Sequence, residues 1–449
     1  MQPHCQQRPV GRRAWWARAA LCCTALLYLP VTAAPERPYS PAVAARFPAP
    51  SVHYTTPAFQ NGRDTFTGHE ELAAFMAALA AQPGGPQRLV LGRSQQGQAI
   101  EAWRFASGSA RPERPERPVV LLIGQQHGDE PAGSEALLAL AQQLMPPAPP
   151  APADKKPHST SLAPLLQHID VIVLPRANPD GAEYGQRLAM DGQDINRDHL
   201  LLRTPEARAL AQLVRDFSPV VVVDSHEHTV VGRYLEKFKA VQRFDLLLQY
   251  AMTANLPLEL GRASEDWFRQ PLLQALAAEE LTSEWYYTNP TTPGDLRLSM
   301  GGAQPDTARN VNGLKNAISI LLETRGVGIG RLHFERRVHT QVVALRSLLA
   351  SAAQRAGELG ALQRRVQDQI SASACLGQVV VLAAQTPLTR EVLMLDPVSG
   401  ADVPVAVQWQ SSLELRPLVQ RPRPCGYWLE ETASDSVLRL QALVCACSA

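Results

Sequence analysis

The chain has 449 residues, of which 45% are hydrophobic and 19% are charged. This length allows two or three domains around a large core, and the composition is that of a globular rather than a disordered protein. The formal net charge is +1 at pH 7. Because no strong overall field favours nucleic acid or an acidic surface, we expect no nucleic-acid partner.

Residues 1–33 have the pattern of a secretory signal peptide. Four arginines between Arg8 and Arg18 form a positive region, and the apolar stretch at residues 19–31 is too short to span a membrane comfortably. Val31-Thr-Ala33 is a small-residue cleavage signal. We therefore predict a secreted or periplasmic protein with no stable membrane insertion after cleavage. An uncleaved membrane anchor is the alternative.

Hydrophobic patterning predicts a catalytic domain over residues 34–370. Helical patterns separate four wholly apolar runs, which predict buried strands at residues 119–123, 170–174, 220–223 and 318–322. Wholly apolar strands that alternate with helices are typical of an α/β fold. We expect a mixed, mostly parallel sheet with helices on both faces.

The C-terminal part has a different character. Short strand patterns punctuated by Pro and Gly predict a small β-rich domain at residues 371–449. Four cysteines remain after the signal peptide, which suggests disulfides formed in an oxidising compartment. A bond between Cys445 and Cys447 would be strained, so we expect Cys375 and Cys425 each to pair with one of them. Four free thiols are the alternative.

Side chains that can bind a metal lie at the ends of these apolar runs. His127 and Glu130 follow the first run, His226 follows the third, and Glu323 ends the fourth. Ligands collect at the carboxyl ends of parallel strands, so these groups are expected to meet. A solvated turn is the alternative for the His-x-x-Glu pair, and His228 is the alternative to His226.

Two imidazoles and one carboxylate leave an open position on a tetrahedral zinc ion, which is typical of a catalytic site. Such a zinc lowers the pKa of its water to about 7, and a separate carboxylate must then accept the proton. Glu323 is the candidate for that carboxylate. Arg187 and Arg197 lie in one loop and could stabilise an oxyanion and bind a substrate carboxylate.

Several motifs together resemble the zinc metallocarboxypeptidases of the carboxypeptidase A type over residues 66–335. In chain order they are His127-x-x-Glu130, Asn178-Pro-Asp-Gly181, Asp194-x-Asn196-Arg197, the strand-end His226 and Leu322-Glu323. The resemblance implies a peptidase that uses one zinc ion and a metal-activated water to hydrolyse the C-terminal amide bond of peptides.

The resemblance also implies a role for each matching side chain. Zinc is expected on His127, Glu130 and His226, with Glu323 as the general base and acid and Arg187 polarising the scissile carbonyl. The substrate-binding and positioning residues are expected to be Asn196 and Arg197, for the terminal carboxylate, and Asp194, which would hydrogen-bond a ligand histidine, His127.

The sequence departs from the carboxypeptidase pattern at two points. Position 129 is Asp where digestive members have Arg, which is closer to the branch that resembles aspartoacylase and succinylglutamate desuccinylase. The family's substrate-capping tyrosine is left unassigned, because Tyr286 and Tyr287 lie too far upstream to be matched by motif. The alternatives are a zinc amidohydrolase acting on N-acyl amino acids or cell-wall peptides, and a non-catalytic binding protein, which would lack a ligand or the base.

Overall fold

A computed structural model describes residues 38–108, 117–147, 161–430 and 432–443. The predicted signal peptide at residues 1–33 lies outside these ranges. Among the described residues, no helix combines the length and the apolar character needed to cross a bilayer.

Strands and helices alternate along most of the chain. The strands are Gln87–Arg93 (β1), Ala99–Phe105 (β2), Val119–Gly124 (β3), Asp170–Leu174 (β4), Val221–Thr229 (β5), Val241–Gln242 (β6), Leu246–Tyr250 (β7), Ser283–Trp285 (β8), Tyr287–Thr288 (β9), Arg297–Met300 (β10), Ile318–Val327 (β11), Gln378–Leu395 (β12) and Asp402–Pro422 (β13). The α-helices are Pro41–Ala44 (α1), His69–Ala80 (α2), Pro131–Leu144 (α3), Pro179–Tyr184 (α4), Pro205–Phe217 (α5), Arg233–Phe238 (α6), Leu258–Ala263 (α7), Gln270–Ala278 (α8), Ala308–Leu314 (α9), Phe334–Gln354 (α10), Ala356–Ala372 (α11) and Ser434–Ala442 (α12). Short 3₁₀ turns lie at Pro57–Phe59, Ala163–Gln167 and Ile195–Arg197, and a π-helix at Ser264–Arg269 continues α7.

The main sheet has eight strands in the order β1-β2-β4-β3-β5-β11-β7-β8. The central strands β4, β3, β5 and β11 are parallel, as are β7 and β8 at one edge. The pairs β1–β2, β2–β4 and β7–β11 are antiparallel. The prediction of a mixed, mostly parallel sheet is therefore confirmed.

Helices cover both faces of this sheet. Val120 and Leu122 of β3 point into one apolar cluster, which includes residues of α2, α3, α8 and α10. Leu121 and Ile123 point to the opposite face and pack in a second cluster with residues of α5. Since successive side chains of a strand alternate between faces, a wholly apolar strand needs a cover on each side. The predicted helix arrangement is confirmed.

Two central strands are longer than the apolar runs that predicted them. β5 continues beyond residue 223 to Thr229, and β11 continues beyond residue 322 to Val327. Their parallel pairing sets Glu323 opposite His226. The candidate side chains therefore lie within these strands rather than past their ends, because the backbone ladder continues where the apolar pattern stops.

The C-terminal region forms a long hairpin rather than several short strands. β12 and β13 pair along their length, and residues 427–429 form no strand. They join a five-stranded sheet in the order β6-β12-β13-β10-β9. This sheet draws strands from both sides of residue 370, and the boundary proposed there stays a prediction.

The disulfide in the described residues joins Cys375 to Cys425. Our prediction that each of them pairs with Cys445 or Cys447 was wrong. The cause is the hairpin register, which sets Gln378 opposite Pro422 and so brings together the two cysteines just outside the strand ends. Cys445 and Cys447 lie outside the described residues.

Candidate metal centre

His127, Glu130 and His226 form one buried cluster at the carboxyl end of the central strands. His127 lies in the turn after β3, Glu130 is the residue before α3, and His226 is in β5. The two Nδ1 atoms are 3.0 Å apart, and the Glu130 oxygens lie 2.9 Å and 2.8 Å from the Nδ1 atoms of His127 and His226. One ligand atom from each side chain lies within 4.8 Å of the others. The structure thus brings the three predicted ligands together.

The turn that carries His127 is fixed by close backbone packing. A Cβ at Gly128 would lie 1.9 Å from the carbonyl carbon of Gly181, so only glycine fits between this turn and α4. The backbone N–H of Glu227 donates to Glu130 Oε2 at 3.0 Å. These contacts set the direction of His127 and Glu130, the two predicted ligands that the turn supplies.

Carboxylates hold the outer nitrogen of each histidine. Asp194 Oδ1 lies 3.1 Å from His127 Nε2, and Asp224 Oδ2 lies 2.9 Å from His226 Nε2. Each carboxylate accepts an Nε2–H hydrogen bond, which leaves the Nδ1 lone pairs directed at the centre of the cluster. Asp194 was expected in this role. Asp224 was missed, although it directly follows an apolar run.

The donor set fits zinc. Two unprotonated Nδ1 atoms cannot hydrogen-bond to each other, so a pair 3.0 Å apart requires a cation or a proton between them. Zn–N bonds of about 2.0–2.1 Å in a tetrahedral site would place two ligand nitrogens about 3.3 Å apart, close to the spacing here. Although burial opposes ionisation of Glu130, the two histidines more than offset it and lower the pKa of this carboxyl.

Glu323 lies beside the ligand cluster but is not one of its members. Its strand pairing sets it directly opposite His226, and the residue is 7% exposed. Burial first, and then the charge of Glu130, raises the pKa of Glu323 to about 7. Such a carboxyl can both accept and release a proton near neutral pH.

The predicted arginine and asparagine side chains lie on the same loop. Arg187 donates from Nη1 to Glu130 Oε1 at 3.2 Å and from Nη2 to Asp194 Oδ2 at 3.0 Å. Arg197 is exposed and donates to the carbonyl oxygen of Asn196.

The side-chain amide of Asn196 keeps donor capacity for a further partner. Its oxygen accepts from the backbone N–H of Ala308 at 2.8 Å. Its nitrogen makes a long 3.4 Å contact with Asp224 Oδ2. The nearby His226 Nε2 carries the proton given to Asp224 and cannot accept from Asn196.

Tyr286 is the aromatic residue at this site that sequence analysis left unassigned. Burial and then the charge of Glu323 raise the pKa of its phenol, while the charges of Arg197, Arg309 and Arg187 oppose that rise. Its backbone N–H donates to Leu248 of β7, which fixes the chain there. No sequence motif marks this residue. Its position depends on the parallel pairing of β7 with β8, two strands that some thirty residues separate in the chain.

His228 does not join the cluster. It follows His226 by two residues in β5, and its Nδ1 lies 3.2 Å from the carbonyl oxygen of Thr229. Burial lowers the pKa of His228 to about 3. We expect this imidazole to remain neutral and to act in packing.

Comparison with protein families agrees with this geometry. The sequence model of the zinc carboxypeptidases matches residues 72–333. The chain belongs to the zinc carboxypeptidase family. It is an enzyme of the metallocarboxypeptidase class, as the resemblance of its motifs predicted.

Proteins similar to this zinc carboxypeptidase are also named carboxypeptidases. Carboxypeptidase 2 of Trichophyton rubrum is 28% identical over 416 residues, which cover 89% of this chain and 74% of the relative. Human carboxypeptidase D is 28% identical over 217 residues, covering 38% of this chain and 15% of that protein. Among solved structures, a metallo-carboxypeptidase from Burkholderia cenocepacia has a TM-score of 0.47 and 17% identity, covering 64% of this chain and 69% of that one.

Replacing Asp194 with asparagine is expected to weaken zinc binding by this carboxypeptidase by about 10- to 100-fold. The amide is a weaker acceptor for His127 Nε2–H, and its NH₂ group can face the guanidinium of Arg187. Zinc affinity would be measured by competition with a chromogenic chelator, with Asp191→Asn on the same loop as the control. Wild-type affinity in Asp194→Asn would refute the positioning role.

Proposed function

We propose that this carboxypeptidase uses one zinc ion, held by His127, Glu130 and His226, to hydrolyse the C-terminal peptide bond of its substrates. The observation that carries the proposal is the position of Glu323, a buried carboxyl set opposite His226 and beside the His₂Glu cluster. Bound zinc supplies a Lewis acid that polarises a carbonyl and lowers the pKa of water.

In this proposal Glu323 moves the proton. Its raised pKa suits it to accept a proton from the attacking water and to deliver it to the leaving amine. Arg187 lies against the ligand Glu130, where its guanidinium can stabilise the negative charge that develops on the scissile carbonyl oxygen.

The terminal carboxylate of the substrate is assigned to Arg197 and Asn196. Arg197 presents an exposed planar fork, and the Asn196 amide keeps an N–H for a further acceptor. We also propose Tyr286 as the substrate-capping tyrosine, because its phenol lies near Glu323 and near Arg197. Its hydroxyl can donate to a bound peptide.

The alternative functions have less support. The family and the relatives that the chain matches are carboxypeptidases, which does not favour a zinc amidohydrolase. A non-catalytic binding protein would lack a zinc ligand or the base, and the described residues supply the three proposed ligands and the proposed base. Peptides are the substrates implied by the family, and we propose that the enzyme meets them after export, outside the cell or in the periplasm. The signal pattern and the Cys375–Cys425 bond support export.

A peptide with a free C-terminus is expected to lose a single terminal residue, while its C-terminally amidated twin reacts about 10- to 100-fold more slowly. The amide cannot form the ionic hydrogen bonds expected from Arg197. Released amino acids would be measured by mass spectrometry, with an N-acetyl amino acid as a third substrate. Equal rates on the free and amidated peptides would contradict the proposal, and faster cleavage of the N-acetyl amino acid would favour the deacylase function.

A further inference from the structure

Arg309 is a buried arginine beside the proposed active site. It lies in the first turn of α9 and is 3% exposed. The residue before it, Ala308, donates its backbone N–H to Asn196 Oδ1 at 2.8 Å, which ties α9 to the loop assigned to substrate binding. Burial lowers the pKa of Arg309 to about 10, so its guanidinium stays charged at neutral pH.

The guanidinium has only neutral partners. Its Nη2 donates to the carbonyl oxygen of Gly302 at 3.1 Å, and its Nε makes a long 3.4 Å contact with Asn310 Oδ1. Its Nη1 has no hydrogen-bond acceptor among the described residues, and this atom is not fully buried. A buried charge is costly without an anion beside it.

Buried Arg176 resembles Arg309 in this respect, because it donates only to Gln125 Oε1 at 2.8 Å and to the carbonyl oxygen of Thr67 at 2.7 Å. Other buried arginines are compensated directly. Arg337 forms a bidentate ion pair with Glu227, and Arg325 lies 3.4 Å from the centroid of the Phe47 ring. In the described part of the chain, Arg309 has no carboxylate within ion-pair distance and no aromatic ring against it. From beyond hydrogen-bond distance, Tyr286, the proposed base Glu323 and Asp224 raise the pKa of Arg309, and Arg197 lowers it.

The backbone makes room for this guanidinium. A Cβ at Gly301 would lie 2.5 Å from Arg309 Nη1 and 2.7 Å from Nη2, so the absence of a side chain at residue 301 leaves the space that the fork occupies. Arg309 lies deeper than the exposed Arg197. Two cations at different depths match a ligand that has two carboxylates.

We infer that Arg309 binds the side-chain carboxylate of the substrate's terminal residue, so that the enzyme prefers peptides ending in glutamate or aspartate. This inference rests on the proposed function. Arg197 takes the α-carboxylate, and Arg309 takes the second carboxylate through its planar fork. A terminal lysine or arginine is disfavoured, because its cation would face Arg309 across a buried site.

Matched N-blocked dipeptides that differ only in the terminal residue provide the test. We expect kcat/KM for terminal Glu to exceed that for terminal Gln by about 10- to 100-fold, with terminal Lys the poorest. In Arg309→Gln the ratio of kcat/KM for the dipeptide ending in Glu to that for the dipeptide ending in Gln should fall toward one. Arg309→Lys should keep part of this preference. Arg364→Gln, an exposed arginine of α11, is the control and should keep the wild-type ratio.

Direct binding keeps the inference testable apart from turnover and from the folding of the variants. Calorimetry on zinc-loaded Glu323→Gln should show the Glu dipeptide binding about 10- to 100-fold more tightly than the Gln dipeptide. If wild-type protein cleaves no peptide yet Glu323→Gln shows this preference, the proposed function fails and the acidic subsite stands. Equal binding of the two dipeptides, or equal wild-type cleavage of Glu, Gln and Lys peptides, would overturn the inference.

Discussion

Replacing Glu323 with glutamine is expected to lower kcat by about 10²- to 10⁴-fold and to leave the zinc content at the wild-type level. Glutamine has nearly the same shape but cannot accept a proton from water. Because Glu323 lies opposite His226 without belonging to the three-residue ligand cluster, its loss should not release the metal. Single-turnover rates and elemental analysis of the same sample would measure both quantities.

The control for this substitution is Glu414→Gln. Glu414 is an exposed residue of β13, and its side chain has no assigned role in the site. Its activity should equal that of the wild type. Wild-type kcat in Glu323→Gln would show that the proton is accepted elsewhere, whereas loss of zinc from the variant would mean that Glu323 is part of the coordination site.

The fold could be predicted from sequence because its signals are local. The runs that became β3, β4, β5 and β11 are apolar throughout, and each needs cover on both faces. The His-x-x-Glu pattern belongs to one turn, so its two side chains were placed by spacing alone. That His226 and Glu323 stand side by side depends on parallel pairing between strands almost a hundred residues apart, which the strand-end argument anticipated.

The features that sequence analysis missed depend on long-range contacts. Asp224 looks like the end of an apolar strand, and its bond to His226 Nε2 becomes visible only when the strand continues into the site. Tyr286 reaches the site because β8 pairs with β7, and Cys375 meets Cys425 because of the hairpin register. No local pattern encodes these contacts.

Replacing His226 with glutamine is expected to abolish both zinc binding and peptidase activity. The substitution removes one of the three proposed ligands, and the amide of glutamine is a poor ligand for zinc beside an imidazole and a carboxylate. Chelation of the wild-type enzyme should give the same loss of activity, which added zinc restores. In His226→Gln, added zinc should restore nothing.

His228→Gln is the matched control, because it changes the same residue type two positions further along β5. His228 lies outside the three-residue cluster, so this variant should retain zinc and most of its activity. Thermal melting separates binding from folding: a ligand present at 1,000 times its Kd stabilises the native state by about 4 kcal/mol. Zinc should therefore raise the Tm of wild type and of His228→Gln, but not that of His226→Gln. The reverse pattern would make His228 the ligand. It would also contradict the role assigned to Glu323, because Glu323 is paired with His226 and the residue opposite His228 is Arg325.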